Sequence, residues 1–281
     1  MSEQPNLPPT LRQLGGGALD HCESVAWDPS TGTALAGGEG GQVYRIALDG
    51  AVEEIARIPG AFLLGIAIDR DGSAFACDVR GGGVHRISRN GVVEAVGPPL
   101  RAPNFPAIAA DGTLYVSLEG AHGAGDGGIV AIDPGGDATP VPLARPLAFG
   151  NALLVEGDHL VVVESDGQRV SRVSRDGGAF ETLVELPGTV PDGIARDADG
   201  GLWVSCYQPN RIVRCVPGLA PEVIADDPLG WDLPMPTGLA FAGPALDTML
   251  VACLGGWTLA AFESPVRGRL PERLAPNQGG R

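Results

Sequence analysis

The stretch PDGIARDADGGLWVSCY, residues 191–207, carries the pattern that decides the fold. Gly193, Ile194 and Ala195 read as the end of one strand, and Leu202, Trp203 and Val204 as the body of a second. Between them Asp197, Asp199 and Gly200 are turn chemistry, because short polar side chains bond their own backbone and glycine accepts positive φ. Asp192 resists that account. It sets a carboxylate at the mouth of an apolar run, in a kind of element from which Asp is depleted.

Outward from this stretch the same unit recurs. Its copies are SVAWDPSTGTALAGGEGGQVYRI (24–46), GIAIDRDGSAFACDVRGGGVHRI (65–87), FPAIAADGTLYVSLEG continuing to GGIVAID (105–133), ALLVEGDHLVVVESDGQRVSRV (152–173), GIARDADGGLWVSCYQPNRIVRCV (193–216) and GLAFAGPALDTMLVACLGGWTLAAF (238–262). Each reads as strand, polar turn, strand, looser turn, strand, with a period of about 40–47 residues. Such a ladder predicts an all-β protein, a six-bladed β-propeller, whose four-stranded blades bury their faces only by stacking on neighbours. GAVEEIAR (50–57), GVVEAVG (91–97) and FETLVELPG (180–188) are the expected fourth strands. Residues before Glu23 are expected to pair with the last blade, since ring closure removes an exposed sheet edge. No linker interrupts the repeats, so 1–281 reads as a single domain, with RLPERLAPNQGGR (269–281) as a frayed tail.

Composition agrees. Gly 43 and Pro 25 sit among 44% hydrophobic residues in short alternating runs, the signature of a turn-rich β protein. The formal charge of −15 argues against nucleic acid and anionic membrane as partners, while leaving room for a bound cation. The 5 cysteines form no CxxC pair; Cys77, Cys206 and Cys253 each close a short apolar strand and read as small buried residues in a repeated slot. The odd count, with no basic-then-apolar leader at the N-terminus, predicts reduced thiols in a cytoplasmic protein. No apolar run approaches the ~20 residues of a membrane helix.

Aligning the repeats on their first turns gives Asp192 its equivalents: Glu23, Leu64, Asn104, Asn151 and Thr237. In a propeller the first strand of each blade lines the central channel, so these positions ring one end of it. Four carry carboxylates or carboxamides and none carries Lys or Arg. Gathered carboxylates are costly unless paired or bound to metal. An all-oxygen set selects a hard cation, and two amides beside two carboxylates suit the flexible, roughly six- to eight-fold shell of Ca²⁺ better than Mg²⁺. Zn²⁺, Mn²⁺ and Mg²⁺ are the alternative occupants. Turn or capping residues that happen to share an offset are the competing reading.

With these residues in place, the chain over about 20–262 resembles the gluconolactonase/regucalcin (senescence marker protein) family of calcium-dependent six-bladed propellers. The likeness is tightest at PDGIARDADGGLWVSCYQPNRIVR and extends to LPMPTGLAFAGPALDTMLVAC. It implies a metal held by a Glu of the first blade, two Asn and an Asp, here Glu23, Asn104, Asn151 and Asp192. Local departures are Glu23-Ser24-Val25, Asn104-Phe105 and Asn151-Ala152, and an arginine, Arg101, that lies three rather than two residues before Asn104.

The function expected is metal-assisted hydrolysis of a lactone or related ester, a small-molecule substrate. The ion would polarise the carbonyl, with Asp192 as general base or nucleophile and Glu23 chiefly holding the ion. Arg101, Asn104, Phe105, His122 and Tyr207 are the candidate substrate contacts, His122 from the Gly-rich insertion LEGAHGAGDGG (118–128). Phe105 with Tyr207 and Trp231 would form an apolar wall. His21 is a candidate support beside Glu23, while His85 and His159 read as structural. Two rivals are a non-hydrolytic propeller enzyme, like the strictosidine-synthase type, and a protein-binding scaffold. GGEGG (37–41) and GDGG (125–128) lack the Lys-Ser/Thr and helix of a phosphate loop.

Overall fold

The computed structural model describes residues 4–275, and every regular element among them is a β-strand. Period-2 alternation and Gly-rich turns build six antiparallel sheets of four strands each, a six-bladed β-propeller. Blade 1 is β2 (Val25–Asp28), β3 (Thr33–Gly37), β4 (Gln42–Ala47) and β5 (Val52–Arg57). Blade 2 is β6 (Leu63–Ile68), β7 (Ala74–Asp78), β8 (Gly83–Ile87) and β9 (Val93–Val96). Blade 3 is β10 (Pro103–Ile108), β11 (Leu114–Leu118), β12 (Gly128–Ile132) and β13 (Ala138–Pro140). Blade 4 is β14 (Gly150–Glu156), β15 (His159–Glu164), β16 (Arg169–Ser174) and β17 (Gly177–Glu185). Blade 5 is β18 (Val190–Arg196), β19 (Leu202–Gln208), β20 (Asn210–Cys215) and β21 (Glu222–Asp226). Blade 6 is β22 (Pro236–Ala242), β23 (Thr248–Cys253) and β24 (Leu259–Glu263), completed by β1 (Arg12–Leu14).

The closure follows the expectation. β1 runs antiparallel to β24, with Arg12 opposite Ala261 and Leu14 opposite Leu259, so the first-synthesised strand is the outer edge of the last blade. Asn6 and Asp226 also exchange backbone hydrogen bonds, tying the N-terminal segment to blade 5. The connectors expected to be fourth strands supply β5, β9 and β17.

Apolar side chains pack between blades. Trp203 of β19 is fully buried, its ring 5.5 Å edge-on to Phe241 of the next blade. Its indole N–H donates to Asp197, whose carboxylate also accepts from Arg214 and from the backbone N–H groups of Asp199 and Gly201. Asp197 is therefore a turn residue and also the polar anchor of a core tryptophan. At the axis the inner strands come close. A side chain on Gly193 would overlap the carbonyl oxygen of Thr237 in blade 6, and one on Gly65 would stand 2.6 Å from the Cα of Phe105. All five cysteines are buried free thiols. Cys206 and Cys253 share one slot, opposite Pro191 and Pro236, whereas Cys77 lies one residue short of it, since Asp78 is the residue opposite Leu63.

The expectation of a frayed C-terminus is corrected for residues 269–275; the rest of that segment, 276–281, lies outside the described residues. Residues 267–275 form a strap across the channel at the ends of the inner strands. Ala198 donates to the carbonyl of Arg267 and Arg269 to that of Arg196. Glu272 accepts from the N–H groups of Ala110 and Gly157, and Arg273 pairs with Asp69 at 2.5 Å. A polar, proline-containing segment is ordered here because blades 3 to 6 present it with free backbone groups and blade 2 with the half-buried Asp69.

Candidate active site

The inner strands do not run straight past the ring positions. In blades 2 to 6 each carries one residue more than its partner at the same place: Leu63 lies opposite Asp78 but Ile66 opposite Ala76, and likewise Pro103/Leu118 and Pro106/Val116. Blades 4, 5 and 6 repeat the shift between Gly150 and Leu153, Pro191 and Ile194, and Pro236 and Leu239. Residues 64–65, 104–105, 151–152, 192–193 and 237–238 thus lie in five equivalent β-bulges. A bulge bends the strand and re-aims the bulged side chain, which frees the ring residue from the in–out alternation of its strand. In blade 1 Glu23 precedes β2.

All six ring positions are buried. Asn151 Nδ2 donates to Asp192 Oδ2 at 3.0 Å, and Asn104 Nδ2 donates to Glu119 Oε2 at 3.0 Å. The carbonyl oxygens of both amides, Asn104 Oδ1 and Asn151 Oδ1, are buried without any hydrogen-bond partner. Burial raises the Glu23 carboxyl well above the usual carboxylate range, and the charges of Asp192 and Glu119 add to it. Burial likewise pushes Asp192 up to about 7, against the hydrogen bond from Asn151 and with the charge of Glu119. No arginine or lysine figures among the groups acting on either acid.

Serines lock the ring together. Ser117 donates to the carbonyl of Asn151, Ser165 to that of Pro191, and Ser205 to that of Thr237, each reaching into the following blade. Among the described residues no three His, Cys, Asp or Glu side chains gather in metal-ligand geometry. The ring is instead a mixed set of two carboxylates and two carboxamides. Its donors still fit a hard cation: four oxygen-bearing groups, the two amide oxygens orphaned beside two acids whose carboxyls burial raises.

Glu119 was not among the residues read from the sequence. It follows β11 and stands one residue beyond the residue opposite Pro103; Val79, Ser165, Tyr207 and Leu254 hold the same register in their blades. Counting back from the second strands, rather than from the first turns, would have revealed this second tier. Glu119 is partly buried, which raises its carboxyl, opposed by the Asn104 hydrogen bond and the charge of His122. Tyr207 lies in the field of Asp192, Asp166 and Glu119. His122 Nδ1 is 3.1 Å from Asp166 Oδ1, and its ring stacks on Phe149 at 3.8 Å. Glu119 and Tyr207 share the tier outside the ring, and Asp166, the partner of His122, directly follows Ser165 of that tier.

The other sequence-predicted residues lie as follows. Arg101 is 75% exposed and bonds Asp126 at 2.9 Å. Phe105, in the bulge after Asn104, lines the channel cavity between the inner strands and the C-terminal strap and packs with Leu153 and Ile194. Trp231 is exposed on the loop after β21. His21 stacks on Trp257 at 4.2 Å, two residues from Glu23.

The profile of the SMP-30/Gluconolactonase/LRE-like region matches residues 99–254. A pentonolactonase of Haloferax volcanii is 29% identical over 209 residues, 69% of this chain and 68% of that protein. Among solved structures, the calcium-binding protein regucalcin of Agrobacterium tumefaciens superimposes with TM-score 0.73 at 17% identity, over 95% of this chain and 98% of the other. A gluconolactonase of Xanthomonas campestris does so with TM-score 0.72 at 18% identity, over 94% and 99%. At such identities the superpositions speak for the shared fold. The profile spans more than half of the chain, including three of the four oxygen-bearing ring residues, and the protein belongs to the SMP-30/gluconolactonase/LRE-like family.

Proposed function

We propose that the protein is a metal-dependent lactonase, with Ca²⁺ as its ion, hydrolysing a lactone or a related ester. The observation that carries this reading is the pair of orphaned amide oxygens beside two buried acids with no cationic partner. Family membership and the activity in the name of the Haloferax volcanii relative support the choice of a lactone. Glu23, Asn104, Asn151 and Asp192 would hold the ion, which when bound polarises the substrate carbonyl and stabilises the negative charge formed on its oxygen.

The remaining work belongs to the chain. Asn151 fixes the Asp192 carboxylate through Oδ2, and Glu119 fixes the Asn104 amide. Asp192 takes a proton from water as the water oxygen attacks the carbonyl carbon. The ring C–O bond then breaks and the departing alkoxide recovers that proton from Asp192, so lactone and water become one hydroxy acid. His122 and Tyr207 are the substrate contacts at the ring's open end.

The test is metal analysis of the purified protein, then turnover of a lactone panel with and without chelator. Chelation should abolish hydrolysis and added Ca²⁺ restore it, and Asp192→Asn should lower kcat by at least about 100-fold. Unchanged hydrolysis in chelator, or full turnover by Asp192→Asn, would overturn the reading.

A further inference from the structure

Two residues before each ring position lies a second circle: His21, Phe62, Ala102, Phe149, Val190 and Met235. None of them is buried, although every ring residue is. Among the described residues, six non-glycines have left-handed φ, and four of these stand in this circle: His21 at 47°, Ala102 at 49°, Phe149 at 62° and Met235 at 54°. Such a conformation is strained at a non-glycine residue and persists only where the surrounding structure holds it. Its recurrence at one register means that the fold imposes it, as the turn that brings the chain from the rim into the bulged inner strand.

The circle is bonded to the tier that contains Glu119 and Tyr207. Val79, Glu119, Ser165 and Leu254 each donate a backbone N–H to the carbonyl of the circle residue in their own blade, at 3.0–3.1 Å. Together the two tiers form a collar outside the ring. Five of the six circle residues are apolar and the sixth is a histidine; Val79 and Leu254 extend the apolar character, and Glu119, Ser165 and Tyr207 place polar groups in blades 3 to 5. No lysine or arginine occupies any of these positions. Phe149 stacks on His122, and the carbonyl of Phe149 accepts from Ser165 of the second tier. On the opposite side His21 stacks on Trp257, which is 55% exposed, and Met235 is 40% exposed. A polyhydroxylated substrate would need hydrogen-bonding groups all around this height, and apart from His21, Glu119, Ser165 and Tyr207 the collar is apolar.

We propose that the collar selects lactones or esters bearing an alkyl or aryl substituent, which it covers while the carbonyl lies at the ring. This rests on the lactonase reading and narrows it to a substrate class. The occupant is the apolar substituent of the substrate itself, because the collar is continuous with the acid–amide ring where the carbonyl must sit.

The experiment compares a series of γ-alkyl lactones of increasing chain length with a sugar lactone on the calcium-loaded protein, and measures by calorimetry the affinity of the matching, unhydrolysable γ-alkyl lactams. Each buried methylene is worth about 0.8 kcal/mol, so kcat/KM and lactam affinity should rise up to about fourfold per added carbon until the collar is filled. Phe149→Asn and Met235→Asn should flatten that slope; asparagine tolerates left-handed φ, so the fold is preserved. If lactones are hydrolysed but neither rate nor affinity responds to chain length, or the sugar lactone is preferred tenfold or more, the collar proposal fails and the lactonase reading stands. If no lactone is hydrolysed yet lactam affinity climbs with chain length and falls in the two variants, the hydrolytic reading fails and the collar stands.

Discussion

At Gly193 the demands of packing and chemistry meet in one residue. It follows Asp192 within a bulge, and its missing side chain leaves room for the carbonyl of Thr237 in blade 6. Its backbone N–H donates to Ser205 Oγ at 2.9 Å, and that hydroxyl in turn donates to the same carbonyl. The neighbour across is main chain, which cannot rotate aside as a side chain would. Gly193→Ala should therefore lower stability by about 2–3 kcal/mol, a larger effect than the usual gain from removing a glycine. Urea denaturation would show it as a lower midpoint at unchanged slope. A midpoint within experimental scatter of wild type would mean that blades 5 and 6 separate at the axis without cost. The family-like Pro-Asp-Gly stretch is legible at this scale, since a glycine after an acid in a strand already signals a close backbone approach.

Strand ends on the ring side are held by buried acids whose purpose the sequence conceals. Glu164, at the end of β15, is fully buried and lies opposite Gly150, next to Asn151. It accepts from Arg145 at 2.6 and 2.7 Å, from Arg169 at 2.9 and 3.1 Å, from Ser171 at 2.6 Å, and from the N–H of Ala148. Desolvation opposes the charge, but the hydrogen bonds from Arg145, Arg169 and Ser171 outweigh it and hold this carboxyl far below its usual range. A depressed folded-state pKa stabilises the protein above the unfolded carboxylate value of about 4.3, and that contribution fades as pH falls through and below it. Glu164→Gln should destabilise by about 3 kcal/mol at pH 7, because two arginines lose their shared anion. The gap between variant and wild type should narrow as pH is lowered from about 5 to 3. Denaturation midpoints across that range give the check, and a gap that stayed constant or widened toward acid would contradict it. Asp78 plays a comparable part in blade 2, accepting from the N–H groups of Phe62, Arg80 and Gly81.

Across the whole molecule the chain termini do different jobs. β1 closes the ring sideways, while the strap of residues 267–275 closes the channel at the end opposite the acid–amide ring. Inner strands of about six residues separate the two ends by roughly 20 Å. Between them lies a cavity of about 130 Å³ lined by Trp27, Phe105, Leu153, Phe241, Leu270 and Leu274 among others. Truncation after Val266 removes the Arg273–Asp69 pair and the cover of Leu270 and Leu274. A loss of about 2 kcal/mol should follow, lowering Tm by about 4–8 °C. Turnover per folded molecule at 25 °C should stay within about twofold, since the ring is built from the other ends of the strands. Loss of turnover at temperatures where the fold persists would show that the strap supports the ring through the channel.

The six-fold repeat, the closure by the N-terminal strand, and the shared register of Glu23, Asn104, Asn151 and Asp192 are legible in the amino-acid order alone. The repeat and the register are local, since turn chemistry and strand alternation recur at a constant offset, and the closure follows from the exposed edge that an open ring would leave. Only after folding do Asn104, Asn151 and Asp192 sit in bulges, Glu119 join them from just beyond the second strand, Phe105 turn into the channel, and Arg273 find Asp69 some 200 residues away. A bulge adds one residue to one strand, and where it falls is defined by the partner's register. A strap or a second-tier acid is likewise defined by the surface it meets, and that surface exists only after six blades have closed.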